Sequence, residues 1–91
     1  MIEFEVIKLR LSDNHLTPAH CKDIRALMVR GGNVLFREQV FDMIKTGWYR
    51  FYVQKGSTQS ELVVFTIGIE HYLRTASDDT PKDVLLHLPT F

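Results

Sequence analysis

Residues 36–46 form the clearest helical repeat in this chain, and period-two stretches dominate much of the rest. Phe36, Val40, Met43 and Ile44 recur at i, i+4, i+7 and i+8, while Arg37, Glu38, Asp42 and Lys45 fall off that stripe. Gly47 follows directly, placed to end the helix in a left-handed cap. At the start stands Phe36, where Ser, Thr, Asp or Asn would normally cap. A single helix cannot bury its stripe alone, so it needs a sheet to pack on.

The strands supply that sheet. Residues 2–11 alternate, but out of phase with themselves: Ile2, Phe4 and Val6 are apolar on even positions, and Ile7, Leu9 and Leu11 on odd ones. Such a phase change predicts a β-bulge near Val6-Ile7, which keeps both apolar sets on one face and leaves Lys8 and Arg10 on the other. Trp48–Gln54 is aromatic and β-branched, with Tyr49, Phe51 and Val53 sharing a face. Lys55–Ser60 is a polar hairpin loop, and Leu62–Ile67, apolar on both faces apart from Thr66, reads as a central strand covered on both sides. Gly68 permits a bend into a last strand near His71–Thr75. The stretch 17–32 carries two readings. Thr17-Pro18 resembles a helix start and Gly31-Gly32 a helix stop, yet Ile24–Val29 also fits a short strand. The expected fold is α+β: a small antiparallel β-sheet, one main helix packed on one face, and a short C-terminal tail from Val84 folded back.

Length and composition limit the rest. Ninety-one residues, 45% apolar and 24% charged, suit a single domain over 1–91 with no internal linker. Eleven basic residues balance eleven acidic ones, so there is no bulk attraction to nucleic acid or an anionic membrane, and no basic run. Glu3 and Glu5 near the start oppose a signal peptide, and no apolar run approaches the roughly 18 residues of a membrane span. One cysteine, Cys21, cannot form an internal disulfide, so a reducing, cytoplasmic setting is expected.

The ending carries a resemblance. Tyr72-Leu73-Arg74-Thr75, then Asp78 or Asp79, then Asp83-Val84-Leu85-Leu86-His87-Leu88-Pro89 resembles the "Y-[LI]-R-T-x-x-D … D-N-L-L-x-L-P" ending of the DUF3892 family. Val6–Arg10 is similar to that family's opening strand, and Arg37-Glu38-Gln39-Val40, Ile44, Gly47 and Tyr49–Val53 look like its helix and following strand. Val84 stands where the family carries Asn, and Phe36 where it carries a capping Ser or Thr. The second change weakens the helix start by about 1 kcal/mol if nothing compensates. The resemblance implies a domain of unknown function found widely in bacteria and mobile elements. It also implies a strand over 20–29.

Candidate chemistry is sparse. His15, His20, Cys21, His71 and His87 match no zinc-module spacing, and His20 and Cys21 would point to opposite faces of a strand; no metal and no cofactor is expected. Gly31-Gly32 lacks the context of a phosphate-binding loop. Glu3 and Glu5 read as solvated charges on a strand edge. Arg74, with Asp79 and Asp83, is the densest polar cluster; it suits an ion pair that latches the tail, or else a site for a carboxylate or phosphate ligand. Trp48, Arg50 and Tyr52 share the face opposite Tyr49, Phe51 and Val53, and these residue types dominate protein-recognition hot spots. The expected function is a non-catalytic protein-interaction, inhibitor or adaptor module of phage or mobile-element type. Its partner is another protein, a second copy included. The alternatives are a weak nucleic-acid binder using the same stripe and a small-ligand binder at Arg74.

Overall fold

The computed structural model describes residues 1–12, 21–76 and 84–91. Its elements are β1 (Ile2–Leu11), a 3₁₀ turn (Cys21–Asp23), β2 (Ile24–Val29), β3 (Val34–Phe36), α1 (Arg37–Thr46), β4 (Tyr49–Lys55), β5 (Thr58–Ile67), β6 (Glu70–Thr75) and a second 3₁₀ turn (Val84–His87). Six strands lie in the order β3-β2-β1-β4-β5-β6. The α+β class holds, but the sheet is mixed. β1 and β4 run parallel, pairing Ile2 with Tyr49, Phe4 with Phe51 and Glu5 with Tyr52, while the other neighbours are antiparallel. The reason is connectivity. β3 and β4 point the same way, and α1 carries the chain between them, as a parallel arrangement requires. Side-chain alternation reports a strand's faces and is silent on its direction.

The predicted bulge is present, as a register shift between Val6 and Lys8. It also divides β1 between two partners. Ile2–Glu5 pairs with β4, whereas Leu9 donates its N–H to the Pro89 carbonyl at 2.9 Å and accepts from the Phe91 N–H at 3.0 Å. The tail therefore runs beside β1 beyond the last β4 pair, bridging Leu9 and Thr90 in parallel. Leu85, in the second 3₁₀ turn, is fully buried, and that turn touches β6. β6 also touches the first 3₁₀ turn, which leads into β2. In a flat sheet β2 and β6 would lie four strand spacings apart, roughly 19 Å, so the sheet curls around its core.

Of the two readings for 17–32, Ile24–Val29 is the strand β2, and residues 13–20 lie outside the described residues. Gly31 and Gly32 stop no helix. Their φ of 104° and 92° turn the β2–β3 hairpin, a conformation that favours glycine.

α1 packs against β2, β3, β4, β5 and β6 and closes the inner face over Val6, Leu9, Leu27, Phe51, Val53, Leu62 and Leu73. Val40 is buried, with Phe41, Met43 and Ile44 partly buried beside it. Phe36 is the exception to the predicted stripe, at 60% exposed. Its neighbour Leu35 pairs with buried Leu27, so alternation turns Phe36 to the opposite face. The uncapped start is compensated: the Phe36 N–H donates to Gln39 Oε1 at 2.9 Å, half of a capping box. Gly47, at φ 79°, ends the helix and donates its N–H to the Ile44 carbonyl. Strand β5 is interior, between β4 and β6, but its cover is uneven; Leu62 is buried while Thr66 and Ile67 are exposed. Among the described residues no helix is long and apolar enough to cross a membrane.

Candidate binding surface

The sequence-predicted stripe on β4 divides into an engaged part and an open part. Arg50 donates from Nε to Glu61 Oε1 at 3.0 Å and from Nη1 to Glu3 Oε2 at 3.2 Å, so it ties β4 to both neighbouring strands. Its guanidinium also lies 5.4 Å from the centroid of the Tyr52 ring. With two carboxylates attached, its side chain is only 22% exposed. Trp48 precedes the strand and is 71% exposed. Its carbonyl accepts from the N–H of Ile2, another exposed apolar residue, which places the two at one corner of the sheet.

Glu3 and Glu5 lie at the surface as expected, but the expectation that they sit on a strand edge is corrected. β1 is an interior strand, and both acids have arginine partners. Arg30 grips Glu5 with two bonds, Nε to Oε1 at 2.9 Å and Nη2 to Oε2 at 2.8 Å. That hydrogen bonding holds the Glu5 carboxyl below its ordinary value and raises Arg30. Glu38 is likewise lowered, chiefly by its hydrogen bond from Arg37. Residue spacing could not reveal these partners, because the Arg30 and Glu5 positions are 25 apart and the Arg50 and Glu3 positions 47 apart.

Arg74 is half-buried on β6, with its guanidinium 4.4 Å from the centroid of the Phe65 ring. Asp79 and Asp83, its expected partners, lie outside the described residues, as do His15 and His20. Cys21 is buried and forms no disulfide within the chain. Among the described residues no group of three or more His, Cys, Asp or Glu side chains is placed to hold a metal.

Two adjoining hollows of about 460 and 570 Å³ lie between α1 and the β5–β6 hairpin, sharing Phe41 and His71. Their polar rim is largely paired. Lys22 meets Glu70 at 3.5 Å, Arg37 meets Glu38 at 3.1 Å, and Thr66 Oγ1 lies 2.8 Å from His71 Nδ1. Ile69, at the hairpin tip, is 96% exposed. Sequence periodicity does not mark it, because turn residues belong to neither face.

A family model described as "Protein of unknown function (DUF3892)" matches residues 5–89. The chain belongs to the DUF3892 family. The match spans the bulged strand, the helix, the parallel β4 and the returning tail, so the resemblance read from the ending extends through nearly the whole domain. No curated protein and no solved structure matches the chain.

Proposed function

We propose that this DUF3892 protein is a small, non-catalytic protein-interaction module, acting as an inhibitor or adaptor. The observation that carries the reading is the exposure of Trp48 beside Ile2. Tryptophan is usually well buried, and in binding surfaces it supplies a disproportionate share of the energy. Arg50 and Tyr52 on the following strand add a pre-ordered rim, since Glu3 and Glu61 already hold the guanidinium in place. The same two carboxylates weigh against the nucleic-acid alternative, because they neutralise the cation that would meet phosphate.

The test is affinity capture from host lysate with mass spectrometry, comparing wild type with Trp48→Ala and following light scattering on both. A partner, or self-association, that weakens at least tenfold in Trp48→Ala supports the reading. Partners captured equally by both proteins, with scattering unchanged, remove Trp48 from it.

A further inference from the structure

From the outer face of β1–β3 we infer a docking site for an extended peptide segment of a partner protein, with apolar and acidic side chains alternating. The inference rests on the binding-module reading and adds a surface and a partner chemistry to it. Strand register builds the site. Met28 pairs with both Val34 and Lys8, and Ala26 with both Phe36 and Arg10. Residues paired across strands share a face, and this one lies opposite the buried row of Leu9 and Leu27.

The result is two parallel rails. Val34 and Phe36 on β3 form an apolar rail, 43% and 60% exposed. Lys8 and Arg10 on β1 form a cationic rail two strand spacings away, roughly 10 Å. Between them Met28 is partly exposed and forms the floor, while the small Ala26 is fully buried and offers no surface of its own. Each rail repeats every second residue, about 7 Å, and an extended peptide has that same repeat with its side chains alternating to either side. Apolar residues to one side and carboxylates to the other would meet both rails in register.

Charge pairing supports the acidic partner. Among the described residues neither Lys8 nor Arg10 has an ion pair. Arg10 rests over the Phe91 ring at 4.9 Å, and the neighbouring acid Glu5 is already taken by Arg30. Phe36 supports the apolar rail. It occupies the helix N-cap, where serine would stabilise the fold, and it buries little in exchange.

The experiment titrates the full chain with a ten-residue alternating Val/Glu peptide, its Val/Lys counterpart, and a twelve-nucleotide oligothymidylate. Wild type should bind the Val/Glu peptide at least tenfold tighter than either control. Phe36→Ser should weaken that binding at least tenfold while its melting temperature rises, which excludes misfolding. Lys8→Glu combined with Arg10→Glu should invert the preference toward Val/Lys. Equal binding of the two peptides, or tighter oligothymidylate binding, overturns the inference. So does loss of Val/Glu binding in Trp48→Ala but not in Phe36→Ser, which leaves the Trp48 reading standing.

Discussion

The outer face of the sheet has two halves that treat charge differently. On β1, β4 and β5 the charges saturate one another: Arg50 joins Glu3 and Glu61, and Glu5 is held by Arg30 from the end of β2. On β1 beyond the bulge, Lys8 and Arg10 have no ion pair among the described residues, and they stand across β2 from exposed Val34 and Phe36. Both halves back onto the same core, so packing needs do not explain the contrast. Charges paired across strands are satisfied within the fold, whereas unpaired cations beside apolar groups leave interaction energy for something outside it.

The comparison can be broken in order of effect. Phe51→Ala should be the most damaging, because Phe51 is fully buried beneath the paired half and stacks on Phe4 at 5.3 Å. A loss of about 3–5 kcal/mol in urea unfolding is expected; under 1 kcal/mol would mean that the core lies elsewhere. Arg50→Gln should cost about 1 kcal/mol or less, since it is a partly exposed pair, and the loss should shrink with added salt as the stranded Glu3 and Glu61 are screened. A salt-independent loss would make Arg50 a packing residue and weaken the distinction between the halves.

The smallest effect concerns pH. The Glu5 carboxyl is lowered in the folded state by Arg30, so its stabilisation is complete above the unfolded value near 4.5 and fades as pH falls through the lower folded value. Glu5→Gln should therefore flatten the fall in melting temperature below pH 4.5 and reduce stability at neutral pH. An acid limb as steep as that of wild type would show that other carboxylates govern it.

Several features were legible in the residues themselves because they depend on local periodicity and local sterics. The phase slip of β1 required a bulge, Gly47 had to end α1, and the segment after Gly68 had to return as a strand. Alternation also placed Lys8 and Arg10 away from the core. One of the two open readings of 17–32 and the placing of Phe36 on the helical stripe failed, for reasons that are local too. Gly31-Gly32 turns a hairpin, because positive φ serves a β-turn as readily as a helix end, and Phe36 leaves the helical stripe because it still belongs to β3.

What the tertiary structure alone decided is which residues meet across the chain. Alternation has no direction, so the parallel pairing of β1 with β4 needed the α1 crossover to exist in space. That pairing made β1 an interior strand and gave Glu3 and Arg50 to each other. The bulge was readable, but its consequence was not: it ends the β4 pairing of β1 and leaves that side to the tail at Leu9 and Thr90. A helical period or a bulge is written within a few neighbouring residues, whereas an ion pair 47 positions apart depends on how every strand between them was laid down.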